Sequence, residues 1–431
     1  MVAKKLLRRD FVKLSGLALA GAPAVLAAPR SGTFTTALLG SGWWGMNILQ
    51  AALSSGRSEA VALCDADESH LLPALDQVDE WTGKRPKAYR DYRELLREEK
   101  PQIAIVASPD HWHALMALAA IESGAHVYLE KPIGHTILEG RAMLNAARSA
   151  DRIVQVGTHR RVSPHNISAM EFLRSGRAGQ IGMVRAFVFY GGGPGQPQPD
   201  QEPPEGLDWD LWCGPAPKRP FNPSIHPRGF RQYLEYANGL IGDWGIHWFD
   251  QVLWWTEEKH PRKAYSTAAR RIKRDGTNAP DAQVATFDFD SFTLTWEHRL
   301  FSGNPNERHN IGCYFYGTNG VFHLGWLDGW TFYPSNQDDP VIHEEPRLHE
   351  PDQQNIPELW HDFLDSIDRN RLPVCDIENG HLATNISLLG MLSHRLGRSV
   401  EWDGEREIIP GDEQANALLR REYRQPWEYP A

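Results

Sequence analysis

"TFTTALLGSGWWG", residues 33–45, decides how this chain is read. The apolar and β-branched run up to Leu39 predicts a buried strand over 33–40. Gly40-Ser41-Gly42-Trp43-Trp44-Gly45 then gives the G-x-G-x-x-G spacing and opens a predicted helix from about Trp43 to Leu53. In that context each glycine has a physical reason. Gly40 allows the tight turn, Gly42 lets backbone approach a pyrophosphate, and Gly45 lets helix and strand pack closely. The helix N-terminus offers unpaired N–H groups and a partial positive charge to the phosphates. Ser41, Trp43 and Trp44 complete the loop as candidate cofactor contacts. A second predicted strand, "EAVALCD" (59–65), ends at Asp65. Its carboxylate suits ribose hydroxyls and repels a 2′-phosphate, and no Arg or Lys adjoins it in sequence, so NAD is favoured over NADP. A glycine turn against an unrelated helix would share the spacing but not the strand, the helix and the acid together.

Outward from this motif, "PQIAIVAS" (101–108), "AHVYLE" (125–130) and "RIVQVG" (152–157) read as further strands, separated by amphipathic helices such as "TILEGRAMLNAARSA". That alternation predicts an α/β fold with a doubly wound parallel sheet over 33–157, a dinucleotide-binding domain. A second domain is expected over 158–431. It starts with a helix (163–175) and a strand-like run, "GMVRAFVFYGGG", followed by a Pro/Gly-rich loop over about 191–227. A helical segment around Asp243–Thr256 comes next, then "QVATFDFD", "FTLTWEH" and "IGCYFYGTNGVFHLG". Successive strands joined by turns such as "GTNG" predict a largely antiparallel sheet. Helices are expected over about Pro357–Arg369 and Ile377–Leu396.

At the other end of the chain, "KKLLRRDFVKLSG" (4–16) sets Arg8 and Arg9 ahead of a short apolar run that ends in small residues near Ala27 and Ala28. This resembles a twin-arginine signal peptide over 1–28, which implies export to the periplasm and no membrane anchor after cleavage. The 431 residues carry a formal charge of −10, which argues against a nucleic-acid partner or an anionic membrane surface. Cys64, Cys213, Cys313 and Cys375 are widely spaced, so no local metal motif is present and no metal is expected.

Two constellations carry the chemistry. Glu130-Lys131-Pro132 ends a strand, where open α/β sheets place their ligand crevice. Asp243 and His247, in "GDWGIHWFD", are four residues apart and share a helix face; an acid beside an imidazole fixes its tautomer and makes a base. An N-cap aspartate near a packed histidine has the same spacing. Ser108, Pro109 and His113 follow a strand and are candidate cofactor contacts. Arg160 and Arg161 follow the sixth strand and are candidates for substrate or phosphate. Of Trp209, Trp212, Trp244, Trp248, Trp254 and Trp255, one or two are expected at the site and the others in the core.

The run "ASPDHWHALMALAAIESGAHVYLEKPIGHTILEG" (107–140) and "VQVGTHRR" (154–161) resemble the Gfo/Idh/MocA oxidoreductase family. The likeness continues through "LDWDLWCGPAP", "GDWGIHWFD", "FLDSIDRNRLPVCDIENGH" and "LGRSVEWDG". It implies an N-terminal Rossmann domain and a C-terminal α/β domain whose open sheet mediates a dimer or tetramer. It implies that Lys131, Asp243 and His247 are catalytic, and that Trp212 of the W-x-G-P loop approaches the substrate. The implied reaction is oxidation of a sugar, glycoside or cyclitol hydroxyl by bound NAD(P). His247 is the candidate base, with Lys131 as its alternative; Asp243 would orient the imidazole or a nearby hydroxyl. Glu130 would fix Lys131 or approach the nicotinamide. A second reading is glycoside hydrolysis or lysis through transient oxidation and elimination; a third is a non-catalytic sugar-binding protein. A twin-arginine route exports folded proteins, so the cofactor would leave the cytoplasm with the chain and be recycled in place.

Overall fold

The computed structural model describes residues 32–303, 307–349 and 354–430, and these build two sheets. The signal expected over 1–28 lies outside the described residues. The first sheet comprises β1 (Phe34–Leu39), β2 (Ser58–Cys64), β3 (Lys87–Tyr89), β4 (Ile103–Val106), β5 (His126–Leu129) and β6 (Val154–Val156). Their order is β3-β2-β1-β4-β5-β6, every pair parallel. Helices α1 (Trp43–Ser54), α2 (Glu68–Thr82), α3 (Tyr92–Glu99), α4 (His113–Glu122) and α5 (Ile137–Ser149) connect them. β3 has no apolar run to betray it: Lys87 and Ala88 are exposed at the sheet edge.

Both faces of this sheet are covered, which is why its strands read as continuous apolar runs rather than alternating ones. Along β1, Leu38 packs with Ile48, Leu49 and Leu75, while Ala37 and Leu39 face a separate cluster with Leu95, Ala117 and Ile121. Asp67 and Asp91 cap α2 and α3 by accepting hydrogen bonds from the Ser69 and Arg93 N–H groups. Each such cap is worth about 1 kcal/mol. At α1 the N-cap is Gly42, and no side chain caps it.

The chain continues through α6 (Pro164–Arg174), β7 (Ile181–Phe189), α7 (Trp209–Cys213) and α8 (Ile246–Thr256). Then come β8 (Lys263–Ala269), β9 (Ala282–Asp288), β10 (Thr293–Arg299), β11 (Ile311–Gly317), β12 (Gly320–Gly325), β13 (Trp330–Pro334) and β14 (Ile342–Glu344). After α9 (Ile356–Arg369) and α10 (Ile377–Leu396), β15 (Val400–Glu401) closes a nine-stranded sheet ordered β14-β13-β12-β11-β7-β10-β9-β8-β15. The sheet is mostly antiparallel but mixed, because β7 runs parallel to β10. No tight turn joins those two strands, so nothing local forces them antiparallel. Val184, Leu294, Trp296, Phe315 and Leu324 form the inner face, packed against α6, α8 and α10. α9 packs elsewhere: Leu359, Trp360 and Phe363 sit in the cluster that holds Leu38, Ile48 and Tyr128 of the first sheet. A helix expected within 158–431 therefore completes the core of the parallel sheet.

Candidate active site

Strand order reverses between β1 and β4, the place where doubly wound sheets bind ligands. A cavity of about 550 Å³ opens there, at the carboxyl ends of the strands. Its floor is the glycine loop. Gly40 has φ +99°, and a Cβ on it would fall 2.7 Å from the backbone of Ala107 and Ser108. A Cβ on Gly45 would collide with the Gly40 carbonyl oxygen, so α1 can approach β1 only with glycine there. Gly42 faces open space, and α1 has no side-chain cap, so its first N–H groups are left for a ligand. A bare cradle of amides below an open space fits a pyrophosphate. At one end of the cavity Asp65 is fixed. Its Oδ2 accepts from the Ser41 amide at 2.8 Å and from the Ser41 hydroxyl at 3.2 Å, and its Oδ1 accepts from the Asp67 amide at 3.0 Å. Ser41 thus holds the carboxylate rather than lining the cavity. Arg90 also lines this end, with its guanidinium tied to Glu68.

Lys131, from the end of β5, meets Asp243 at the other end. Its Nζ donates to Asp243 Oδ1 at 2.7 Å and to the Asp243 carbonyl oxygen at 3.0 Å. Arg231 Nε reaches the same Oδ1 at 3.3 Å. Burial pushes the Asp243 carboxyl up, but Lys131 and then Arg231 outweigh it and hold the group below the usual carboxylate range. Asp243 lies in a π-helical turn, Ile241–Gly245, that runs into α8. It therefore fixes the lysine and makes no hydrogen bond to His247, so of the two roles expected for it, orienting the imidazole or a nearby hydroxyl, the first is not seen. The imidazole of His247 is 7% exposed, and its Nδ1 has no hydrogen-bond partner. Trp326, at a ring distance of 4.9 Å, and Trp244, at 5.9 Å, hold it edge-on. Burial, followed by the charge of Lys131, keeps the ring well below the usual histidine range, hence neutral at pH 7.

Gly40, Gly42, Trp43, Trp44, Gly45, Asp65, Ser108, Pro109, His113, Glu130, Lys131, Trp212, Asp243 and His247 all line this one cavity. His113 also braces it, because its ring nitrogens lie 2.6 Å and 2.8 Å from the carbonyl oxygens of Pro132 and Ser108. Glu130 is buried; its Oε2 accepts from the Lys131 amide at 3.1 Å, and its Oε1 has no partner. Trp212 lends the cavity an edge, while its ring stacks on Trp209 at 4.6 Å and its carbonyl oxygen accepts from the Trp112 indole. Arg161 does not reach the cavity. It forms a buried ion pair with Asp250 on α8, with Nε 2.9 Å from Oδ1, and so acts as packing rather than as a substrate contact. Arg160 is buried over the Trp326 ring, 3.9 Å from its centroid.

Sequence reasoning missed Asp110, Arg231 and Trp326. Asp110 sits within "SPDHWH" beside Ser108, Pro109 and His113, while Arg231 comes from a short 3-10 helix, Gly229–Gln232, and Trp326 from a turn, both far from any motif. The Asp110 side chain lines the cavity with Oδ2 unpartnered, and burial pushes its carboxyl up to about 7. The later part of the Pro/Gly-rich loop expected over about 191–227 forms a strap, whose tether to the first sheet was not foreseen. Residues 206–231 cross from the second sheet to the β2–α2 turn and wall one side of the cavity. The Glu68 amide donates to the Gly206 carbonyl at 3.1 Å, the Asp208 amide donates to the Ala66 carbonyl at 2.9 Å, and His226 Nε2 lies 2.7 Å from Asp67 Oδ2.

A doubly wound sheet with a glycine cradle, an acid at the end of β2 and a paired lysine at the far end defines a dinucleotide-dependent oxidoreductase. The chain belongs to the Gfo/Idh/MocA oxidoreductase family: residues 34–158 match its NAD-binding Rossmann fold, and residues 180–294 and 330–429 match its C-terminal alpha/beta domain. A glycosyl hydrolase family 109 protein of Shewanella woodyi is 25% identical over 310 residues, 69% of this chain and 63% of that protein. Inositol 2-dehydrogenase of Salmonella paratyphi B is 29% identical over 127 residues, 29% of this chain and 37% of that protein. This chain thus spans less than two thirds of the curated relatives it matches, and 44% of a glycosyl hydrolase family 109 protein of Shewanella baltica. Among solved structures, the WlbA dehydrogenase of Bordetella pertussis, in complex with NADH and UDP-GlcNAcA, superposes with a TM-score of 0.62 at 19% identity. That match covers 86% of this chain and 98% of WlbA.

Proposed function

We propose that the chain oxidises a secondary hydroxyl of a sugar, glycoside or cyclitol, using an NAD that stays bound and is recycled in place. The observation that carries this reading is one cavity that holds both the glycine cradle and the Lys131–Asp243 pair with His247. When bound, NAD supplies hydride acceptance at its nicotinamide. The α1 amides and Gly42 would hold its pyrophosphate, and Asp65 its ribose. His247, neutral, is in the form that takes the hydroxyl proton. The Lys131 ammonium, fixed by Asp243, donates a hydrogen bond to the oxygen as charge develops on it. The strap would slow exchange of the cofactor.

Asp110 supports the second reading, redox-neutral glycoside cleavage. In such a cycle a carbonyl would acidify the neighbouring C–H, loss of that proton would expel the glycosidic oxygen and water would add, with bound NAD supplying the oxidation and its reversal. Such a cycle needs a proton donor for the leaving oxygen, and a buried carboxyl pushed up to about 7 in the cavity can serve. The family 109 relatives favour this reading in the same direction. Under either reading the N-terminal arginines would send the folded, NAD-loaded chain to the periplasm, and the second sheet would pair copies into a dimer or tetramer. Incubating the purified protein with glycosides separates the two: net NADH supports the dehydrogenase, and cleavage without net NADH supports the hydrolase. Replacing Lys131 or His247 by Ala should cut turnover by at least about a hundredfold in both cases. Undiminished turnover in these variants would remove the site.

A further inference from the structure

Away from this cavity, at one end of the second sheet, three side chains converge that neither reading of the reaction uses. His309 precedes β11, His323 lies on β12, and Asp328 lies in the turn between β12 and β13. One ligand atom from each lies within 4.8 Å of the other two. We propose that His309, His323 and Asp328 form a site for a divalent cation of the zinc class.

Three observations support it. First, the two imidazoles are stacked with centroids 3.7 Å apart, and both Nε2 atoms are buried without a hydrogen-bond partner. Buried polar atoms in native structures are nearly always satisfied, so the orphaned Nε2 of His323, a residue that is 1% exposed, calls for a ligand. Second, His309 Nδ1 lies 2.9 Å from Asp328 Oδ2. An ion would take the place of the Nδ1 proton between these two atoms, with His309 Nδ1, His323 Nε2 and the Asp328 carboxylate as its ligands. Third, the surroundings make room for this cluster. Gly312 and Gly325 face each other across β11 and β12. A Cβ on Gly312 would fall 2.6 Å from His323 Nε2, and one on Gly325 would collide with Asp328 Oδ1. Any other residue at either position would displace a ligand.

Two imidazoles and one carboxylate suit zinc and its neighbours rather than calcium or magnesium, and a fourth position stays open to water. On binding, the 21° stack of the rings would tilt so that both lone pairs aim at one ion. The site also has a consequence for the cavity. Trp326, which packs against His247, lies two residues before Asp328, so the ion would clip the turn that carries this wall.

The test uses the full chain purified with its cofactor, stripped with a chelator and then titrated with Zn²⁺ alone. Elemental analysis after desalting should find one zinc per chain, and the thermal midpoint should rise by a few degrees. Uptake should vanish in His323→Gln and His309→Gln. It should persist in His226→Ala, which removes a member of the other histidine–aspartate cluster, Asp67, His70 and His226. Should the buried histidine variants fail to fold, Asp328→Asn on the exposed turn should weaken zinc binding at least tenfold with an unchanged metal-free midpoint. No stoichiometric uptake, uptake that survives these substitutions at full affinity, or uptake lost only in His226→Ala would each overturn the proposal.

Discussion

Residue by residue, the site divides into groups that touch the cavity and groups that hold those in place. Lys131 and Asp243 do both, lining the cavity and fixing each other. They are 112 residues apart in sequence, yet the end of β5 and the π-helical turn before α8 bring Nζ and Oδ1 to 2.7 Å. Sequence spacing paired Asp243 with His247 because four residues is one helical turn; the wider π turn and the nearby lysine give the carboxylate a better partner. Arg161 is the opposite lesson. A cation after a strand at the ligand end of a sheet reads as a substrate contact until a buried partner, Asp250, is visible on another element. Arg161→Ala should therefore destabilise the fold by about 3–5 kcal/mol, because it leaves Asp250 buried and unpaired. Denaturant unfolding would measure this, and KM for the substrate should stay unchanged in the folded fraction.

Among elements, β1, α1 and the loop between them were the most legible part, since three glycines at fixed offsets serve three different contacts. The same contacts yield a prediction that separates them. Gly45→Ala forces a methyl into the Gly40 carbonyl and should cost about 1–3 kcal/mol of stability and the bound dinucleotide together. Gly42→Ala meets nothing within 4 Å and should fold with an unchanged melting temperature, yet hold NAD more weakly, because its methyl enters the cradle. Thermal melts beside the NAD content of each purified variant check this. The short edge strand β3, the strap and the packing of α9 onto the first sheet were not legible. β3 is too exposed to show a pattern, and both the path of the strap over the cavity and the α9 packing depend on long-range topology that periodicity does not encode. His226→Ala should loosen the strap and speed loss of NAD during dilution, read as a faster decline of cofactor content on gel filtration.

For the molecule as a whole, buried histidines set the acid limit. Burial lowers His111 to about 3 and His298 to about 4, from an ordinary value of 6.5. Unfolded, these rings take a proton below pH 6.5; folded, they do not. Stability should be full above that value and fall as pH drops from 6.5 toward 4, with each ring costing about 2 kcal/mol at pH 5. Asp110 works the other way. Burial raises its carboxyl to about 7, so it costs stability as pH rises from 3.8 to 7, and the net slope is the balance of these groups. Urea unfolding at stepped pH would give that slope, and the histidines predict it to be positive.

On the proposed function the cavity holds NAD, and a carbohydrate hydroxyl gives it hydride under the control of Lys131. A single-turnover titration tests it most directly: purified protein, loaded with NAD and freed of excess, is mixed with sugars and glycosides while the near-ultraviolet absorbance of reduced nicotinamide is followed. At least one such compound should reduce the bound cofactor in the wild-type chain, and Lys131→Ala, carrying the same amount of NAD, should lose this by at least about a hundredfold. Reduction at an equal rate in that variant, or a purified chain that binds no NAD at all, would contradict it.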